Sequence, residues 1–312
     1  MSTTTEQHQE AQDRPGRLET WILAARPKTL PAAAAPVIVG TAVAISDNAF
    51  RPAPAAAALL GALLIQIGTN FANDVFDFRK GADATGRTGP LRVTQAGLLL
   101  PSQVMMGMLV TFGLAALIGV YLVKVGGWPI FLIGLLSIAS GIAYTGGPFP
   151  LGYNGLGDLF VFLFFGFVAV CGTYYVQAGT VTNDAFWSSV PMGALVTNIL
   201  VVNNLRDIDS DRAAGKKTLA VRLGARGARA EYGLMLVLAF GTPGLMWLTG
   251  MKPPWVLAAA IALPWARSPL KLVLHQHGHQ LNRALAETAR LVLVYALFFS
   301  LGLLAVKFLP TT

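Results

Sequence analysis

The sequence predicts an all-α membrane protein, a bundle of about nine transmembrane helices with the N-terminus cytoplasmic and the C-terminus external. Three observations predict it. Of 312 residues, 54% are apolar and 12% are Asp, Glu, Lys or Arg; an ordinary soluble protein carries about 25% charge, so a typical water-soluble enzyme is excluded. The apolar residues recur in runs of about 20, the length that crosses a bilayer as a helix. Of the 23 Lys and Arg, 19 fall on one side of those runs.

In chain order, residues 1–25 are polar, precede the first apolar run and match no signal peptide. They are expected to form a disordered cytoplasmic tail before a single transmembrane domain over 26–312. Apolar segments follow at 29–46, 54–74, 104–123, 129–145, 157–177, 186–205, 232–249, 254–272 and 287–308. In hydrocarbon every backbone N–H and C=O must be paired within its own segment, so these runs of Leu, Ala, Gly and Val are helices, not strands.

Positive residues are retained on the cytoplasmic side. Arg14, Arg17, Arg26 and Lys28 lie in the tail, Arg79, Lys80, Arg87 and Arg92 in the second-to-third connection, and a run from Arg206 to Arg229 in the sixth-to-seventh. Arg267, Lys271, Arg283 and Arg290 flank the eighth-to-ninth, whereas Arg51, Lys124, Lys252 and Lys307 face the other way. Only an odd number of crossings preserves this alternation. The formal charge of +8 is thereby assigned to the lipid bilayer and anionic substrates, with no nucleic-acid partner. The single cysteine, Cys171, sits in an apolar run and is read as helix packing.

Charges are costly near a bilayer, so acids at helix ends are functional candidates. They cluster twice. QIGTNFANDVFDFRKGAD (66–83) closes the second helix; at about 100° per residue, Gln66, Asn70, Asn73, Asp74 and Asp77 fall within an arc of about 100°. NNLRDIDSDRAAGKKT (203–218) closes the sixth; if that helix continues, Asn203, Asn204, Asp207 and Asp211 share a face and Asp209 points away. Each cluster taken alone also reads as a solvated helix end screened by nearby Lys and Arg. Their repetition argues otherwise, because Asn73 precedes Asp77 by four residues as Asn203 precedes Asp207, with a further Asp and a basic run after each. Carboxylates spaced i to i+4 repel and need an offsetting charge. Facing carboxylate pairs suit a hard divalent ion such as Mg²⁺, which takes one or two carboxylates and leaves positions for phosphate oxygens. Lys216 and Lys217, followed by Arg79 and Lys80, are then candidate diphosphate clamps.

NDVFDFRKGAD and NNLRDIDSD resemble the two Asp-rich motifs of the UbiA superfamily of intramembrane prenyltransferases. RPKTLPAAAAPVIVGTA (26–42), GPLRVTQAGLL (89–99), YTGGPFPLGYNGLGDLFVFLFFG (144–166) and KKTLAVRLG (216–224) are similar to its 1,4-dihydroxy-2-naphthoate polyprenyltransferase branch. In one departure, many superfamily members place a third acid four residues after the second, whereas here position 81 is Gly and the acid arrives at Asp83. The resemblance implies Mg²⁺ held by Asp77 with Asp74 or Asp83, and by Asp207 and Asp211, with Asp77, Asp207 and Asp211 as the catalytic acids. It implies substrate contacts from Asn73 and Asn203, a polyprenyl diphosphate donor, and transfer to 1,4-dihydroxy-2-naphthoate with loss of CO₂. The product would be a demethylmenaquinone, made at the cell membrane by a site facing the cytoplasm. Within the same chemistry, 4-hydroxybenzoate or homogentisate is the alternative acceptor. A transporter would also use intramembrane carboxylates, but near the midplane.

Several residues stay open between two readings. Arg206 projects about 100° from Asp207 and is the candidate partner of an acceptor carboxylate; Arg26 is a second substrate candidate, beside Lys28 as a headgroup anchor. Tyr144, Thr145 and Tyr153 border a Gly- and Pro-rich turn, which explains the punctuation without any ligand, while the resemblance suggests an acceptor pocket. Asp158 is either an N-terminal charge favoured by the helix dipole or an acceptor-site residue. HQHGH (275–279) is expected to be an interfacial loop, since helix geometry would splay its three imidazoles.

Overall fold

The computed structural model describes residues 15–81, 89 and 92–309, and every regular element among them is helical. The helices are α1 (Arg17–Ala25), α2 (Leu30–Ser46), α3 (Pro52–Arg79), α4 (Pro101–Gly126), α5 (Trp128–Ala143), α6 (Gly157–Ala178), α7 (Asn183–Arg206), α8 (Ile208–Ala213), α9 (Leu219–Leu248), α10 (Pro254–His275) and α11 (Leu281–Phe308). Among the described residues eight stretches are long and apolar enough to cross a bilayer and α5 is a shorter apolar helix, so each predicted segment finds its helix. Prolines sit in the first turns of α3, α4 and α5, where a missing N–H costs nothing. The hydroxyls of Thr182 and Thr218 cap α7 and α9. Gly127, at φ 72°, makes the tight turn between α4 and α5.

Part of the stretch 1–25 expected to be a disordered tail is ordered. Residues 1–14 lie outside the described chain, and Arg17–Ala25 is a helix instead of a disordered segment. Its order has a packing cause. Trp21 meets Phe71 of α3 edge to face with centroids 5.7 Å apart, and Thr20 and Ala24 are buried. The surrounding polar composition masks this short apolar seam. Leu18, Ile22 and Leu23 remain exposed on the other side.

α7 is the central helix, with 72% of its most apolar window buried, against 17% for the peripheral α4. The last span, α11, packs on α2 and α7 and closes the bundle. One large apolar core joins α2, α6, α7, α9, α10 and α11, and a smaller one joins α1, α3 and α4 through Phe71, Val75, Val93, Val104 and Met108. α6 carries a π-helical stretch, Phe162–Val168, and crosses α7 where Gly166 meets Gly193. A Cβ at Gly193 would stand 2.7 Å from the Phe162 carbonyl oxygen, so only glycine permits this approach. Between the two cores, α2 to α6 line an apolar cavity of about 580 Å³ that is open on one side.

At the end of the bundle opposite the acidic motifs, Lys252 ties three loops together. Its buried ammonium lies 2.5 Å from Asp184 and 3.8 Å from Asp47, and Tyr174 donates to Asp47 at 2.8 Å. Removing one partner of a buried ion pair strands the other charge, at a cost of about 3 kcal/mol. Lys252→Met is therefore expected to lower the thermal unfolding temperature in detergent while leaving substrate affinity unchanged. An unshifted melting curve would show that the cluster does not clamp the loops.

Candidate active site

Both acidic motifs end their helices at the same end of the bundle, and the segments 92–94 and 144–157 close over them. The predicted stripe on α3 divides its work by depth. Gln66 and Asn70 turn toward the break between α1 and α2: Asn70 donates to the Ala25 carbonyl and the Thr29 hydroxyl, each at 2.9 Å, and Gln66 donates to the Thr29 hydroxyl at 3.3 Å. Arg26 occupies that break in a left-handed conformation (φ 52°). Its position ties it to the α1–α2 joint.

Asp74 and Asp77 are both buried but face different partners. Each oxygen of Asp74 accepts a backbone N–H at 3.2 Å, from Val93 and from Thr94. Asp74, expected as the alternative to Asp83 for the additional metal ligand, thus holds the returning chain in place. Asp77 accepts from the Arg92 guanidinium on one oxygen and from the Tyr153 hydroxyl on the other. Arg92 also donates to the Asn73 carbonyl, and the Asn73 side chain accepts from Thr145 at 3.0 Å. Asp83 lies outside the described residues.

In the second motif α7 ends at Arg206 and the chain turns at Asp207 into α8. The helical spacing survives the break, since the Asp211 N–H still donates to the Asp207 carbonyl at 2.8 Å. Asp207 and Asp211 are buried, whereas the Asp209 side chain is 91% exposed, as its angle predicts. Arg206 grips both Asp207 oxygens, from Nε at 2.8 Å and Nη2 at 2.6 Å, and also reaches Asn203 at 2.8 Å and Asn282 at 3.0 Å. Its side chain is fully buried. Arg206, the candidate partner of an acceptor carboxylate, thus holds the adjacent carboxylate of Asp207.

Tyr153 joins the two motifs. Its hydroxyl donates to Asp77, and the ammonium groups of Lys80 and Lys216 stand 5.0 Å and 4.6 Å from its ring centroid, cation–π geometry in both cases. Lys216 pairs with Asp211 at 3.2 Å, and Lys80 donates to the carbonyls of Thr145 and Gly147 at 2.7 and 3.2 Å. Lys217 is exposed and enters only through its backbone N–H, which donates to the Tyr153 carbonyl at 2.7 Å; its predicted clamp role is not supported by its placement. Tyr144 lies at the mouth of the cavity beside Gly157, where an added Cβ would stand 2.9 Å from its hydroxyl.

Charge explains this arrangement. Burial raises the carboxyl of Asp211, Lys216 pulls it back, and Asp207 and Asp77 raise it further. Burial likewise lowers the ammonium of Lys80 against the pull of Asp77. Three carboxylates thus lie within electrostatic reach, offset by Arg92, Arg206, Lys80 and Lys216. Among the described residues no three His, Cys, Asp or Glu side chains form a closed metal cage. The donors are hard carboxylate oxygens beside cations suited to phosphate, which fits an ion that shares its coordination with a diphosphate.

A multi-pass helical bundle with an acidic and cationic site over an apolar cavity defines an intramembrane protein built to hold an amphiphilic anion. The chain belongs to the UbiA prenyltransferase family, whose profile matches residues 33–294. It is 37% identical to the 1,4-dihydroxy-2-naphthoate octaprenyltransferase of Escherichia coli (strain K12), over 92% of this chain and 96% of that one. It is 40% identical to the enzyme of the same name from Mycobacterium tuberculosis, over 89% and 94%. The fold is shared with a UbiA homolog from Archaeoglobus fulgidus bound to DMAPP and Mg²⁺, with a TM-score of 0.64 at 14% identity, covering 92% of this chain and 99% of that one.

Proposed function

We propose that the protein transfers a polyprenyl chain from a polyprenyl diphosphate to 1,4-dihydroxy-2-naphthoate, a step of menaquinone biosynthesis. The observation that carries this reading is that Tyr153 joins Asp77 to the Lys216–Asp211 pair, next to Tyr144, which lines an apolar cavity, in a chain at least 37% identical to two curated relatives with that named activity. The acids recognise the headgroup through a metal and the cavity takes the tail.

Asp77 and Asp211, with Asp207, would hold Mg²⁺, which supplies Lewis-acid neutralisation of the diphosphate as the allylic C–O bond breaks. Lys80 and Lys216 leave the Tyr153 ring to meet the diphosphate oxygens. Arg206 keeps Asp207 in one orientation throughout. The cavity walls exclude water from the electron-deficient allylic carbon. That carbon bonds to the ring carbon bearing the carboxylate, the diphosphate leaves with the C–O electron pair, and the departing CO₂ returns its bonding pair to the ring. Retention of positive loops on the cytoplasmic side supports a site that faces the cytoplasm, with the N-terminus inside.

Purified protein, Mg²⁺, a polyprenyl diphosphate and acceptor labelled at the carboxyl carbon test the reading. Label released as CO₂ in step with diphosphate is expected. Product that keeps the label, or a preference for 4-hydroxybenzoate or homogentisate, would refute the acceptor while leaving prenyl transfer intact.

A further inference from the structure

Each motif pairs one of its acids with one arginine, Asp77 with Arg92 and Asp207 with Arg206, but the two pairings differ in construction. Arg206 sits next to Asp207 in the chain, holds both carboxylate oxygens, and is fixed by Asn203 and Asn282. It can leave only by breaking all four of these bonds. Arg92 reaches Asp77 from a separate segment, through Nη2 on Oδ2, while Nη1 rests on the Asn73 carbonyl. The backbone beneath it is secured independently: Val93 is buried in the smaller core, and Val93 and Thr94 donate to Asp74. The head of Arg92 can therefore change partners without moving its base. Asp74, the acid that seemed to belong to the metal site by its position in the stripe, supplies that fixed base.

We propose that Arg92 is an exchangeable placeholder for the cation at Asp77, so that metal and diphosphate load together. The inference rests on the diphosphate-binding reading given above. With the guanidinium on Asp77, a divalent ion arriving alone must displace a buried charge-assisted bond. A diphosphate offers the guanidinium a better partner, because its planar fork matches paired phosphate oxygens. Arg92 transfers to the diphosphate, and the freed Asp77 oxygen turns to the metal. Tyr153 keeps its bond to the other oxygen and preserves the carboxylate's orientation during the exchange. The consequence is positive coupling between two ligands, equal in both directions by linkage. A site without diphosphate stays metal-poor and does not sequester the ion.

The test measures binding, not turnover. Mn²⁺ serves as a paramagnetic probe of the full-length protein in detergent, titrated with and without inorganic diphosphate, for wild type, Arg92→Gln and Arg92→Lys. Wild type is expected to bind Mn²⁺ weakly alone and about tenfold more tightly with diphosphate, within the range typical of coupled sites. Arg92→Gln should bind Mn²⁺ alone about tenfold more tightly than wild type and gain little from diphosphate. Arg92→Lys, which keeps the charge but lacks the fork, should fall between them and covers the case in which the glutamine variant does not fold. Equal Mn²⁺ affinity without diphosphate in wild type and a folded variant overturns the placeholder role, even if diphosphate binding weakens. Wild type that binds no Mn²⁺ even with diphosphate overturns the diphosphate-binding reading itself.

Discussion

Asp77→Asn and Asp207→Asn are each expected to lower turnover by about 10³-fold, equivalent to about 4 kcal/mol of transition-state stabilisation. The substitution keeps the size of the side chain and removes its negative charge. At Asp77 it also leaves Arg92 facing a neutral amide, and at Asp207 it breaks the two-point grip of Arg206. Both variants should remain folded and membrane-inserted, because Asp74 still secures residues 93 and 94 and Asn203 and Asn282 still hold Arg206. Mg²⁺-dependent binding of inorganic diphosphate should fall with turnover. Asp209→Asn is the control: that side chain is 91% exposed and pairs with Arg212, so its activity should stay near wild type. Near-normal turnover in both the Asp77 and Asp207 variants would sink the two-motif site.

Why the acids were legible while their partners were not follows from the range of each signal. Helical spacing is local, so it places Asp207 with Asp211 and turns Asp209 away even though α7 breaks at Asp207. The same geometry groups Asp74 with Asp77, although three residues on a helix separate them by about 60°. That angle sends one carboxylate to the backbone of residues 93 and 94 and the other to Arg92 and Tyr153. Nothing in a periodicity can anticipate how the chain returns after α3. Arg92 was visible only as one positive charge among a loop's basic residues, and Tyr153 only as a neighbour of a Gly- and Pro-rich turn. Arg206 bonds the carboxylate one residue away, a pairing that helical angle alone does not indicate. The transmembrane spans were legible because hydrocarbon imposes one rule on every segment. α1 escaped because its order comes from the Trp21–Phe71 contact, a tertiary event inside a polar stretch.

Filling the cavity should separate donors by length. Gly134 on α5 and Gly172 on α6 both line it, and a Cβ at either meets nothing within 4 Å. A side chain built there enters empty space and leaves the helix backbones undisturbed. Gly134 lies ten residues before Tyr144, about 15 Å along a helix, so a bulky residue there blocks the tail well away from the acidic site. Gly134→Trp is expected to cut turnover with a long polyprenyl diphosphate about 100-fold, as overpacking worth about 3 kcal/mol would do. Dimethylallyl and geranyl diphosphates, whose chains stop short of the block, should be used at close to the wild-type rate. Gly172→Phe tests the same wall from the facing helix. The added benzyl group lies on α6 beside Thr173 and Val176, which also line the cavity, so its effect should likewise grow with donor length. A loss that is uniform across donors would mean that the substitutions damage the fold, and full activity with long donors in both variants would place the tail outside this cavity. Either result leaves the headgroup site to be judged by the Asp77 and Asp207 variants alone, since those residues touch no part of the tail path.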